Sequence, residues 1–92
     1  MNRTRVQVIY AGHVQGVGFR YTVRSLAPGY EVTGTIRNLP DGRVELLAEG
    51  TKAELEAFQQ AILDSGLGRL IRQTQVVWGE ARGQFSSFAI AS

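Results

Sequence analysis

The sequence predicts an α+β sandwich of the ferredoxin-like type: βαββαβ order, a mostly antiparallel sheet, two helices on one face and a short extra C-terminal strand. Three observations predict it. Apolar alternation with the period of a half-buried strand recurs in separate runs, from Arg5 to Tyr10 and from Val32 to Asn38. Two segments with helical periodicity and clear stops lie between and after these runs. Pro40-Asp41-Gly42 joins the second strand run to a third as a hairpin turn.

In order, Val6, Val8 and Tyr10 fall on one face of the first strand. Tyr21 to Ala27 reads as a short helix with Val23, Leu26 and Ala27 on one side, stopped by Pro28-Gly29. Val32, Gly34 and Ile36 face one way on the second strand. The hairpin returns through Arg43 to Ala48, and Glu49-Gly50 ends it. Thr51 with Glu54 forms a capping box that opens the second helix, whose buried stripe is Leu55, Phe58 and Ile62. Ser65-Gly66 stops that helix. Leu70 to Trp78 supplies a further strand, and Phe85 to Ile90 a last short one after the turn region from Gly79 to Gly83. No repeat, linker or low-complexity tract interrupts the series.

Ninety-two residues make a single domain, 1–92, with one core and no room for two lobes. The 43% hydrophobic content is ordinary for a globular chain and argues against disorder. With no cysteine, disulfides, thiolate zinc sites, iron–sulfur clusters and cysteine nucleophiles are all excluded. No apolar run approaches a membrane span, and no signal-peptide core follows Met1, so a cytoplasmic protein without membrane attachment is the expectation. Asn2-Arg3-Thr4 fits the glycosylation pattern, but no secretion signal accompanies it. The net charge of +2 underlies a pI near 9.5 because all cations but Lys52 are arginines. They are scattered along the chain, which suits a local anion site better than a nucleic-acid stripe.

The most informative stretch is Gly12-His13-Val14-Gln15-Gly16-Val17-Gly18-Phe19-Arg20. A glycine-bearing loop between a strand and a helix N-terminus can aim several backbone N–H groups at one point, and the helix dipole adds to the attraction for an anion. Arg20 closes the loop with a forked cation that matches phosphate oxygens in pairs. Two other phosphate loops are excluded. Gly16-Val17-Gly18-Phe19-Arg20-Tyr21 lacks the third glycine of the dinucleotide fingerprint, and no Gly-Lys-Ser/Thr follows as in a nucleotide P-loop. On local pattern alone, these glycines equally suit a plain turn.

Asn38 ends the second strand just before the turn. A neutral amide both donates and accepts, which suits a group that orients a water molecule, yet Asn before Leu-Pro-Asp-Gly is also a natural turn residue. Asp41 and Gly42 are turn chemistry. His13, the only histidine, has no Asp or Ser partner in sequence and reads as a surface residue. Glu45 and Glu49 on the third strand read as solvated, and Glu54, Glu56 and Asp64 as capping and exposed-face residues. No carboxylate pair stands out as an acid–base dyad, and no His/Asp/Glu cluster has metal-ligand spacing, so neither metal nor cofactor is expected. Trp78, Phe85 and Phe88 read as core and edge packing, not a base-stacking platform.

The chain resembles the acylphosphatase family. The stretch from Gly12 to Arg20 is similar to that family's first signature, in which the position of His13 is variable, and Gly34-Thr35-Ile36-Arg37-Asn38-Leu39-Pro40-Asp41-Gly42-Arg43-Val44, continuing to Gly50, to its second. Phe85-Ser86-Ser87-Phe88-Ala89-Ile90 resembles the usual ending. Two departures lie off the critical positions: Thr35 stands where many members carry an aromatic, and Ala27-Pro28-Gly29 interrupts what is usually a longer first helix.

The resemblance implies hydrolysis of a small-molecule acyl phosphate to a carboxylate and inorganic phosphate. By the same resemblance Arg20 and the backbone N–H groups of Gln15, Gly16, Val17, Gly18 and Phe19 bind the phosphoryl group, and Asn38 holds the attacking water. A monomer with no nucleic-acid partner is expected. Two other functions draw on the same features. A docking module could retain the fold and the anion loop, although retention of both Arg20 and Asn38 argues against a purely structural role. A small RNA-binding domain would need exposed aromatics in the pattern K/R-G-F/Y-G/A-F-V-x-F/Y, which is absent.

Overall fold

Alternate apolar residues place the first strand, β1 (Arg3–Gly12), in the interior of the sheet: Val6, Val8 and Tyr10 are buried in a row. The computed structural model describes residues 2–91. After β1 come α1 (Phe19–Leu26), β2 (Thr33–Asn38), β3 (Val44–Thr51), α2 (Lys52–Asp64), β4 (Ile71–Glu80) and β5 (Phe88–Ile90). Short 3₁₀ turns fill Ala27–Gly29 and Leu67–Leu70. The five-stranded sheet has the order β4-β1-β3-β2-β5. Its first four strands pair antiparallel, and β5 adds to β2 in parallel. This is the ferredoxin-like α+β architecture with a fifth, edge strand.

The core lies between the sheet and the helices. Val6, Val8 and Tyr10 pair in register with Ala48, Leu46 and Val44, so all six point to the helix side. Phe19 and Val23 of α1 and Leu55, Phe58 and Ile62 of α2 close on them. Phe58 is the meeting point, with its ring centroid 5.6 Å from Tyr30 and 5.5 Å from Phe88. Each such large apolar side chain contributes about 1.5–3 kcal/mol by leaving water.

Several expectations from the sequence are corrected. The first helix begins at Phe19, not Tyr21, because Gly18 turns the chain with φ 76° and the next residue is already helical. Its end is at Leu26, and Ala27-Pro28-Gly29 continues as a single 3₁₀ turn, since proline at an early position of such a turn needs no N–H partner. β3 runs through Glu49-Gly50 to Thr51, and β5 starts at Phe88, not Phe85. The capping box is only half made. Thr51 Oγ1 accepts from the Glu54 N–H at 3.3 Å, but the Glu54 carboxylate accepts from the backbone N–H of Glu31 at 2.8 Å instead of turning back to Thr51. Trp78 packs at the edge, as core-and-edge packing implies: it is 38% exposed on β4 beneath the Lys52 ammonium.

The largest correction concerns Glu45 and Glu49. They are 9% and 0% exposed, although both lie on the face of β3 opposite the helices. β4 and β5 occupy opposite edges, so the chain between them must cross the sheet, and it does so over Glu49. The Glu49 carboxylate accepts the backbone N–H groups of Arg82 at 2.8 Å and Gly83 at 3.0 Å, with the Arg5 guanidinium 3.9 Å away. Glu45 accepts from Arg37 and Gln7, each at 2.7 Å. A carboxylate satisfied in this way tolerates burial.

For Glu45, burial pushes the carboxyl up, but the hydrogen bonds from Arg37 and Gln7 and the charges of Arg37 and Arg5 outweigh it, leaving the group below its ordinary 4.5. A depressed native value means that the stabilisation is complete above pH 4.5 and is lost as pH falls through the native value. Glu45→Gln should therefore flatten the acid limb of melting temperature against pH. An acid limb identical in the two proteins would show that Glu45 does not contribute to it.

Candidate active site

Between β1 and α1 the chain turns twice through the left-handed region, at Gly16 and Gly18, both with φ 76°. A Cβ at either position would meet nothing within 4 Å, so backbone conformation and not space calls for glycine there. Such turns direct successive N–H groups into one concavity. None of the backbone N–H groups from Gln15 to Phe19 has a hydrogen-bond partner among the described residues, and no side chain caps α1. The loop is nonetheless held at both ends. The His13 N–H donates to the Leu70 carbonyl at 2.9 Å, and the Thr22 N–H reaches the Gly18 carbonyl at 3.0 Å. Val14 and Phe19 are buried, and Phe19 packs on Tyr10 with ring centroids 5.2 Å apart.

Phe19 pointing inward turns the next residue outward, since neighbours on a helix differ by about 100°. Arg20 is thereby presented to a cleft of about 170 Å³ lined by Val14, Gly16, Gly18, Phe19, Tyr21, Asn38 and Ile90. Asn38 arrives from β2. It is two residues past Ile36 and so on the same, helix-facing side. Its Oδ1 is buried and has no hydrogen-bond partner among the described residues. Larger hollows, of about 360, 330 and 310 Å³, lie elsewhere and include neither Arg20 nor Asn38. Size therefore does not select the site, and chemistry does.

Of the residues singled out from the sequence, Arg20, Asn38, Gly16, Gly18 and Phe19 line one cleft. Gln15 and Val17 do not line it. Val17 packs against the core, and the Gln15 side chain turns away to the β2–β3 turn, where its Nε2 donates to the carbonyls of Leu39 at 2.8 Å and Arg43 at 2.9 Å. His13 is exposed and outside the cleft. Two residues not anticipated as site residues form an apolar rim: Tyr21, 69% exposed, and Ile90, 39% exposed. Ile90 reaches the cleft because β5 pairs it with Ile36, which sets it on the helix side beside α1. No signal in the sequence around Ile90 indicates that placement, which depends on strand order. No group of three or more His, Cys, Asp or Glu among the described residues is arranged to hold a metal ion, and no helix among them is long and apolar enough to cross a membrane.

Residues 6–90 match the family model for acylphosphatase. The chain is 45% identical over 87 residues to an acylphosphatase of Methanospirillum hungatei, covering 94% of each chain. It is 38% identical over 91 residues to one of Pelotomaculum thermopropionicum, covering 99% of each. Its fold is similar to that of the acylphosphatase from Bacillus subtilis, with a TM-score of 0.85 and 31% identity over 97% of this chain and 99% of that one.

Proposed function

The chain belongs to the acylphosphatase family and acts on acyl phosphates, and from that premise we propose how its residues divide the hydrolysis. The reaction is RCO–OPO₃²⁻ + H₂O → RCO₂⁻ + H₂PO₄⁻. Water oxygen bonds to phosphorus, the bond from phosphorus to the acyl oxygen breaks, and its electron pair leaves with the carboxylate. Arg20 and the N–H groups from Gln15 to Phe19 hold the phosphoryl oxygens. Asn38 Oδ1 accepts one O–H of the attacking water, which keeps an oxygen lone pair free to face phosphorus. The acyl group lies along the Tyr21–Ile90 rim.

The observation that carries this reading is that Arg20, Gly16, Gly18 and Asn38 line one cleft, with the Asn38 oxygen left without a hydrogen-bond partner among the described residues. The chemistry asks for little more. A carboxylate leaving group, with a conjugate acid of pKa roughly 4, needs no general acid at neutral pH. Phosphoryl transfer to water through a loose transition state depends mainly on positioning and charge stabilisation. A cation, a set of fixed amides and a water-orienting amide meet those needs without a metal or a histidine. We further propose that the protein works as a cytoplasmic monomer.

The test is turnover of benzoyl phosphate in EDTA, together with binding of inorganic phosphate, the product that shares the anion contacts. Phosphate should inhibit competitively and raise the melting temperature. At about 100 times Kd the stabilisation is roughly 2.7 kcal/mol, and about 1 kcal/mol moves Tm by roughly 4–8 °C in a domain of this size. Sulfate should mimic phosphate in part, and chloride at equal ionic strength should not. A phosphate shift undiminished in Arg20→Ala would put the anion elsewhere and defeat the reading. Oligonucleotide binding without turnover would favour the RNA-binding alternative.

A further inference from the structure

We propose that the side chain of Gln15 is a positioning residue for the hydrolysis: it clamps the β2–β3 turn to the glycine loop and so fixes Asn38 relative to Arg20. The proposal rests on the reading of Asn38 as the water-orienting residue. Both hydrogens of Gln15 Nε2 are committed, one to the Leu39 carbonyl at 2.8 Å and one to the Arg43 carbonyl at 2.9 Å. These carbonyls stand at the two ends of the turn that follows Asn38 directly.

The turn is a closed unit in its own right. The Leu39 N–H donates to the Arg43 carbonyl at 2.8 Å and the Gly42 N–H to the Leu39 carbonyl at 3.2 Å. Asp41 accepts the Arg43 N–H at 3.1 Å and pairs with its guanidinium at 2.7 Å. Such a unit moves as a body, and among the described residues only Gln15 bonds it to the loop. No hydrogen bond from a described residue to Oδ1 holds the Asn38 side chain against a displacement of the turn, and its backbone is the last pair of the β2–β3 ladder, opposite Val44. The next Cα is only about 3.8 Å away, so a shift at Leu39 is transmitted almost whole.

The loop, by contrast, keeps its anchors without the Gln15 side chain: Val14 and Phe19 in the core and the His13 N–H on Leu70. Loss of the clamp should therefore disturb Asn38 more than the phosphate contacts. The residue type fits the task. Glutamate has no N–H to offer two carbonyls, and asparagine is one methylene too short. Both carbonyls retain another partner within the turn, so the hairpin survives the substitution.

A double-mutant cycle in the full chain tests this, with kcat and KM for benzoyl phosphate and the inhibition constant of inorganic phosphate read for Gln15→Met, Asn38→Ala and the double variant. Gln15→Met should lower kcat about tenfold, a fraction of what a full 1 Å misplacement can cost, with the phosphate constant changed by less than about threefold. In the Asn38→Ala background the same substitution should change kcat by less than about twofold, because residues that act through one another are not additive. An equal fall in both backgrounds would overturn the proposal. So would a loss of phosphate affinity that matches the loss of kcat, which would make Gln15 a builder of the anion loop. An Asn38→Ala variant with unchanged kcat would defeat the water reading itself, and the positioning role with it. Gln15→Glu, which keeps the shape and removes the donors, should reproduce Gln15→Met and serves if the methionine variant melts below the assay temperature.

Discussion

Arg20→Lys is expected to lower kcat/KM for benzoyl phosphate by about a hundredfold or more, nearly as far as Arg20→Ala. Lysine keeps the charge, so a residue needed only for attraction would tolerate the change. The cleft asks for more than charge. Arg20 is the second residue of α1, and its backbone is fixed by the buried Phe19 on one side and the Thr22–Gly18 hydrogen bond on the other. From that fixed base a planar guanidinium can place two parallel N–H donors on two phosphoryl oxygens, which an ammonium on a flexible stem cannot do. Losing a pair of donors aimed at a transition state costs on the order of 3 kcal/mol, roughly a hundredfold in rate. Steady-state kinetics of the two variants provide the check, and lysine turnover near that of the parent protein would remove Arg20 from the mechanism.

Asn38→Ala should act on the other term, lowering kcat by about a hundredfold, as removal of a single oriented polar group at a reacting centre commonly does. KM should remain within a few-fold, because its inferred contact is with water and not with the bound phosphoryl group. The stabilisation by inorganic phosphate should survive intact, whereas Arg20→Ala should abolish most of it. On the proposed roles these two variants should separate binding from attack, one losing the anion and the other the nucleophile's orientation. A large rise in KM at unchanged kcat would make Asn38 a substrate ligand.

The parts of the molecule that were legible in the sequence are those governed by local periodicity and backbone conformation. Val6, Val8 and Tyr10 announce a strand with one buried face, Leu55, Phe58 and Ile62 a helix with one buried stripe, and Pro40-Asp41-Gly42 the hairpin. The glycines at 16 and 18 mark where the chain must pass through positive φ. What was not legible depends on which distant segment covers a given face. Glu49 looks solvated on its own strand and is buried because residues 81–87 pass over it. Ile90 looks like an ordinary edge residue and lines the cleft because β5 crosses to the far side of the sheet. The Gln15 side chain stands in a loop pattern that draws attention to its backbone, whereas its amide reaches residues 24 and 28 positions away. The start of α1 is hidden in the sequence for a local reason. Gly18 is its N-cap without a side chain to advertise it, so the usual Ser, Thr, Asp or Asn signal is missing.

The route of residues 81–87 has a consequence for how the molecule comes apart. β5 is three residues long, pairs only with β2, and is attached at its ends by the Gly34 N–H on the Ser87 carbonyl and the Ala91 N–H on the Ile36 carbonyl. The other four strands form a continuous antiparallel ladder that does not involve it. Detaching β5 uncovers Phe88 together with the faces of Phe58 and Ile36 that β5 covers, and leaves the other core contacts in place, so it requires less free energy than melting the whole, which is the character of a sub-global opening unit. Ile90 leaves with it, and the cleft loses one wall while the glycine loop and the hairpin stand. The two grips on Glu49 lie upstream, at Arg82 and Gly83, so the released tail remains tethered across the sheet and can close again without a search. The wall of the cleft that Ile90 supplies therefore rests on the three residues of the last strand and not on the four-stranded ladder.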